Sequence, residues 1–300
     1  MDPLTIAQIA IGGLLLGAVY ALLAGGLNLI FGVMRVINVS HGQLMMLWSY
    51  STLWVFTSYG ALPFLAPVLS SPIPFIVVSV IVSMAVMFVV GVFLQRFFVQ
   101  YVMRAPELTS LLLTFGLGIT ITNLALYFWS ANYQSVPYLT GSFALGPLSL
   151  SLPRLVAFSF ALVITLVVYF FLQRARFGKA IRATAQHGDM AMICGIDVGR
   201  VRLITFGLGA ALAGAAGSLL ITMYAVNPDM GQVFILKAFA IIVLGGMGSF
   251  SGAFLGALIL GLVEGFTSYF FTVQLSEAAA YIILILVLLL KPSGLLGLRE

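Results

Sequence analysis

Apolar runs separated by short polar breaks dominate the chain, and only one break is long. Windows of roughly twenty apolar residues, the length that crosses a hydrocarbon core, fall at 5–31, 41–58, 73–95, 108–130, 153–173, 201–225, 233–247, 250–271 and 277–291. No series of ten-residue segments alternates with a period of two, which speaks against a membrane β-barrel. Backbone amides in lipid must then be satisfied within helices. The pattern predicts an all-α polytopic membrane protein with about 8–10 transmembrane helices. The run at 233–247 is short, and a re-entrant segment there changes the count. The chain reads as one transmembrane domain over 1–300, with the stretch 173–200 projecting into water.

Composition agrees: 62% of residues are hydrophobic and 7% charged, far from a soluble domain. With nine crossings and the N terminus outside, Arg35, Arg96, Arg104, Arg174, Arg176, Lys179, Arg182, Arg200, Arg202, Lys291 and Arg299 fall at cytoplasmic ends. Arg154 and Lys237 lie towards the outside, so eleven of the thirteen basic residues are cytoplasmic. The C terminus is then cytoplasmic too. A net charge of +5 reflects this bias, and no basic stripe interleaved with stacking aromatics calls for a nucleic-acid partner. Asp2 and Pro3 stand where a basic signal-peptide region would begin, so the first helix is expected to be retained.

Enzymatic chemistry finds little support. Gly178-Lys179 continues into Ala180 and lacks the earlier glycine of a phosphate loop, and neither a His-Glu-x-x-His helix nor a Gly-x-Ser-x-Gly elbow occurs. Cys194 is the lone cysteine, which rules out an intrachain disulfide and argues against a cysteine-based metal site. No catalytic residue, metal site or cofactor is expected on this chain.

Gly13, Gly17, Ala21 and Gly25 recur every four residues and line one helix face, as do Gly209, Ala213 and Gly217, and Gly248, Gly252 and Gly256, followed by Gly261 and Gly265. Such faces admit a second backbone at close range and read as scaffold. Two interruptions differ because they bring glycine and polar groups into membrane-depth chain: Gly32 to Gln43, including Asn38, Ser40 and His41, and Leu244 to Gly252, including Gly245, Gly246 and Gly248. One reading is a pair of broken helices in an internal repeat, lining a substrate route. Ordinary cytoplasmic turns are the other.

His41 has three roles open to it: proton carrier, substrate ligand, or a hydrogen-bonded group orienting a turn whose helix is capped by Asn38 or Ser40. Glu264 falls deep in an apolar run, where an ionisable group faces the bundle interior and has a partner. Lys237 is the nearest candidate, and the two are expected to pair. Thr114, Thr120 and Asn123 either line a pathway or bond their own helix backbone.

The long break carries two helical pieces. Gly178 to His187 has strong helix formers and a basic face, and Gly188 interrupts it. Asp189 is expected to cap a short turn through Cys194, Gly195 to close it, and Asp197 to cap the next span. Such a small amphipathic unit needs the membrane underside, its own bundle or a partner's groove to cover its Met and Ile side chains.

This segment, Gly178-Lys179-Ala180-Ile181-Arg182-Ala183 through Gly195-Ile196-Asp197, resembles the ATPase-docking motif of the ABC importer permeases, in the variant of the branched-chain amino-acid (LivH-type) family. Asn38-Val39-Ser40-His41-Gly42 is similar to that family's Asn-x-x-His-Gly. Lys237-Ala238-Phe239 through Gly248-Ser249 is similar to its late signature, and Leu290-Lys291-Pro292-Ser293-Gly294-Leu295-Leu296-Gly297 to its C-terminal seal. These motifs occur in order across nearly the whole chain.

The resemblance implies a type II ABC importer-like bundle with broken helices, set in the bacterial cytoplasmic membrane. Its partners would be a related second permease, two cytoplasmic ATPase subunits that use ATP and Mg, and an external solute-binding protein. It assigns Arg182, Ala183, Ala185, Asp189, Gly195 and Ile196 to ATPase docking. Asn38, Ser40, His41, Gln43, Thr114, Gly245, Gly246, Gly248 and Glu264 are the expected substrate-pathway residues. Two departures stand out: Gln43 replaces an acid after His-Gly, removing a charge near the pathway, and Ser251 replaces a proline in the late motif. Members of the family carry branched-chain and other amino acids, short amides and urea. A stand-alone secondary transporter using the same broken helices is the competing reading.

Overall fold

The computed structural model describes residues 2–58, 71–103, 105–136, 141–291 and 293–297. Arg104, Pro292 and Arg299, placed above on topology or motif, lie outside the described residues. Helices follow every apolar window: α1 Pro3–Met34, α2 His41–Ser58, α3 Pro72–Leu94, α4 Glu107–Trp129, α5 Leu152–Arg174, α8 Val198–Leu220, α9 Met230–Gly245, α10 Phe250–Phe270 and α11 Val273–Leu290. The long break folds into α6 Arg176–Gln186 and α7 Gly188–Ile193. Apart from one short hairpin, the described residues form an all-α polytopic membrane bundle.

Seven of the helices are long and apolar enough to cross a membrane; α2 and α9 are not among them. With 16 residues, α9 reaches about 24 Å, short of a hydrocarbon core of about 30 Å. α2 is interrupted by His41, Gln43, Ser49, Ser51 and Thr52.

Three differences from the sequence reading have local causes. α1 runs on through Gly32, Val33 and Met34, so the first break begins only at Arg35, whose left-handed φ of 54° ends the helix. Between α4 and α5 a small hairpin forms, β1 Ser142–Leu145 with β2 Leu148–Ser151, in register Ser142↔Ser151 and Leu145↔Leu148. Its turn uses Gly146 at φ 62°, where a residue without Cβ is unstrained. Asp189 is not a cap: His187 occupies the N-cap position of α7 and Asp189 sits within its first turn, where a carboxylate favours the helix dipole. Asp197 does cap α8, accepting from Arg200 N–H at 3.0 Å.

Helix α1 is the axis, packed against α10, α8, α5 and α9. The close crossings come from the small-residue faces. A Cβ on Gly13 would lie 2.5 Å from the carbonyl of Gly261, and one on Gly17 2.7 Å from that of Ala257, so α1 and α10 touch backbone to backbone. Gly209 meets Gly26 of α1, Gly217 meets the Met45 carbonyl of α2, and Gly256 meets Ile241 of α9. Gly25 faces the Phe250 ring instead. α8 is the most enclosed span, while α4 and α11 turn large apolar side chains outward, as lipid- or subunit-facing helices do.

Candidate functional site

Residues 35–40 do not form a surface turn. The imidazole of His41 donates from Nε2 to the Leu23 carbonyl at 3.2 Å, eleven residues, or about 16 Å of helix, before α1 ends at Met34. Six extended residues cover that distance, so the chain leaves α1, returns into the bundle and starts α2 there. Asn38, Ser40 and His41 are all fully enclosed. Ser40 Oγ donates to Asn38 Oδ1 at 2.7 Å. Thr114 of α4 fastens the segment, accepting from Val39 N–H at 3.2 Å and reaching the Ile37 carbonyl at 3.0 Å. Thr120 and Asn123 bond their own helix backbone at Gly116 and Ile119.

The start of α9 meets the start of α2. Gly42 packs on the Gly231 carbonyl with no room for a Cβ, and Gln43 Nε2 donates to Gln232 Oε1 at 3.3 Å. Beside this contact lies a cavity of about 290 Å³ lined by Gln43, Asn123, Thr122, Asp229 and Gln232, with Phe115 and Ile119 as its apolar wall. Two helix N termini thus converge on an amide-rich hollow, with the N–H groups of His41, Met230 and Gln232 bonded to the carbonyls of Asn38, Asn227 and Asp229. Buried Gln43 Oε1 has no hydrogen-bond partner among the described residues.

The second break is the turn after α9, with Gly246 and Gly248 at φ 106° and 85°. Asn28 of α1 clasps it: Nδ2 donates to the Ser249 carbonyl at 2.7 Å, and Oδ1 accepts from Gly248 N–H at 2.6 Å. Ser249 then caps α10 by accepting from Gly252 N–H at 3.1 Å. The C-terminal motif closes the other side, with Leu295 N–H and Leu296 N–H donating to the carbonyls of Leu244 and Gly245 at 2.8 and 2.9 Å. A cavity of about 240 Å³ separates this turn from α6, lined by Asn28, Gly248, Ser249, Ile181, Arg182 and Ala185 among others.

The expected ion pair is present. Lys237 Nζ lies 2.9 Å from Glu264 Oε1, with side chains 10% and 6% exposed. Tyr20 bridges them, donating to Glu264 Oε2 at 2.8 Å and accepting from Lys237 at 3.2 Å. The pair borders a cavity of about 660 Å³ at the end of the bundle that carries the N terminus, together with Gln8, Arg154, Tyr224 and Glu277.

In the elbow, Ile181, Thr184 and Ala191 are buried against the bundle. Arg182 is exposed and donates to the Gln173 carbonyl at 3.3 Å, Ala183, Ala185 and Ile196 are half-buried, and Asp189 is exposed. Gly195 takes φ 81° with open space around it. The tip is apolar: Met190, Met192 and Ile193 are 62%, 54% and 80% exposed.

The expected pathway residues therefore separate into three places: Asn38, Ser40, His41, Gln43 and Thr114 at the first break, Gly245, Gly246 and Gly248 at the second, and Glu264 in the ion pair. Of these only Gln43 lines the amide-rich cavity. Tyr20, Asn28, Asp229 and Gln232 were not singled out from sequence. Asn28 was the legible one, a carboxamide inside an apolar helix.

The sequence profile of the family described as branched-chain amino acid transport system / permease component matches residues 9–290. The chain is 32% identical to the high-affinity branched-chain amino acid transport system permease protein BraD of Pseudomonas aeruginosa, over 98% of this chain and 96% of that one. Identity to LivH of Escherichia coli K12, a permease protein of the same description, is 32% over 96% and 94%. To the probable branched-chain amino acid transport permease LivH of Methanocaldococcus jannaschii it is 28% over 95% and 91%. No solved structure matches the chain.

Proposed function

Because the chain belongs to the branched-chain amino acid transport system permease family, we propose that it is the membrane-spanning subunit of an ATP-binding-cassette importer whose cargo is a branched-chain amino acid. The observation that carries this reading is the meeting of the α2 and α9 N termini at the amide-rich cavity. Helix N termini favour negative charge, so the cargo carboxylate faces them, while the unpaired Gln43 Oε1 accepts from the cargo ammonium group. Asp229 receives the ammonium group, and Phe115 and Ile119 take the branched side chain. Broken helices with a substrate at their N termini are a recurring transporter solution.

ATP is hydrolysed with Mg by two separate cytoplasmic subunits, beside a related second permease, and an external solute-binding protein delivers cargo. The chain lies in the bacterial cytoplasmic membrane with its N terminus outside and its C terminus inside. The exposed Met190, Met192 and Ile193 tip suits an apolar groove on an ATPase. The elbow helix α6 packs on α1, whose Asn28 holds the second break, so movement of the elbow reaches that break through α1.

The test is uptake of labelled leucine into vesicles holding the assembled transporter. ATP-dependent accumulation that leucine, isoleucine and valine inhibit and urea does not is expected. Asp229→Asn should raise the half-saturating leucine concentration with little loss of ATPase activity. Accumulation by the chain alone on an ion gradient would make it a secondary transporter and overturn the proposal.

A further inference from the structure

At the end of the bundle that carries the elbow, α3 continues into a π turn, Gln95–Val99, before its last residues Gln100–Val102. π turns are rare and concentrate at functional sites. Here the wider turn sets Gln95 into a cavity of about 340 Å³ between α3 and the start of α8, which Arg96, Arg200 and Arg202 also line. Asp197 is the single acidic residue in that lining, and its carboxylate is engaged by Arg200 Nε at 2.9 Å and by the Arg200 N–H. Among the described residues the lining therefore carries an excess of two positive charges, three arginines against one aspartate.

Two buried atoms in it lack partners among the described residues. Gln95 is 2% exposed, and its Nε2 reaches Met103 Sδ at 3.6 Å while Oε1 accepts nothing. The Nε of Arg202 is likewise buried and unpaired. Leaving such groups unsatisfied is costly. A ligand fitting both must present an anion to the arginines and a hydroxyl to Gln95. Close by in the chain Phe93, Phe97, Phe98 and Tyr101 are exposed, an apolar surface for acyl chains with Tyr101, a residue type enriched at the level of lipid head groups, beside it.

We infer that this cavity holds the head group of an anionic phospholipid, its phosphate on Arg96 and Arg202, a head-group hydroxyl donating to Gln95, and its acyl chains along the aromatic flank of α3. Basic pockets between membrane helices take such head groups. The site is independent of the cargo pathway.

The experiment is native mass spectrometry of the detergent-purified chain titrated with phosphatidylglycerol, phosphatidic acid and phosphatidylcholine, with inorganic phosphate as a competitor. Phosphatidylglycerol is expected to bind most tightly, and Arg96→Gln and Arg202→Gln each to weaken it about fivefold. Gln95→Met should narrow the preference for phosphatidylglycerol over phosphatidic acid, which has no head-group hydroxyl. Arg96 is exposed, so its variant keeps the fold even where Arg202→Gln does not. Equal binding of phosphatidylcholine, unchanged affinity in Arg96→Gln, or displacement of the lipid by millimolar phosphate would overturn the assignment; the last would identify a free-phosphate site instead.

Discussion

Replacing Glu264 by glutamine keeps the shape of the α1–α9–α10 contact and deletes one charge. Lys237 then keeps a neutral amide oxygen in place of the carboxylate, the Tyr20 hydroxyl at 3.2 Å, and the rings of Tyr20 and Phe234, whose centroids are 5.3 and 5.4 Å from Nζ. Removing one member of a buried pair costs about 3–5 kcal/mol, chiefly the desolvated charge left behind. A cation–π contribution of about 2 kcal/mol already exists in the native state and does not offset that loss. Lys237→Met strands the carboxylate in the same way, with Tyr20 as its remaining donor. The double variant strands neither, so it should be more stable than either single one, with a coupling energy of about 2 kcal/mol or more. Unfolding midpoints in mixed detergent for the four proteins measure that term. Additivity within about 0.5 kcal/mol would show that the two charges do not depend on each other. ATP-driven uptake by the double variant should survive, because both charges are consumed by each other and by Tyr20.

Three further outcomes follow from local geometry. Gly42→Ala should destabilise by about 1–3 kcal/mol through overpacking, since its Cβ collides with the Gly231 carbonyl, whereas Gly116→Ala, with nothing within 4 Å, should stabilise α4 by about 0.5–1 kcal/mol; thermal melts of the two compare them directly. Asn28→Leu removes all three bonds to the 246–249 turn and should cost on the order of 2–3 kcal/mol, read as faster amide exchange at Gly248. Gly195→Trp, at φ 81°, and Asp189→Lys should insert normally yet abolish coupling, and full ATP-driven uptake in both would remove the elbow from the mechanism.

Helix positions were legible because hydropathy is a one-dimensional signal, and so were the elbow's two pieces, since Gly188, Gly195 and Asp197 punctuate it locally. What escaped depends on distant partners. Whether residues 35–40 turn at the surface or climb inward is decided by where His41 finds its acceptor, and Leu23 lies on another helix. The amide cavity joins Gln43, which its place after His-Gly marks, to Gln232, 189 positions away, which nothing in its own surroundings marks. The hairpin was missed because each strand has four residues, too few for alternation to stand out. The Lys237–Glu264 pair was the exception: charges inside apolar runs are so few that pairing left little choice, although Tyr20 between them gave no sign.

The clasp of α1 on the later half of the chain bears on biogenesis. Tyr20 and Asn28 enter the bilayer with α1, yet their partners Glu264, Lys237 and Gly248 are translated more than 200 residues afterwards. Until α9 and α10 arrive, a hydroxyl and a carboxamide face lipid or an insertase without their final partners, at a cost of several kcal/mol. That cost falls away only when the later half docks, and the glycine face that admits α10 is where the two halves of the chain meet.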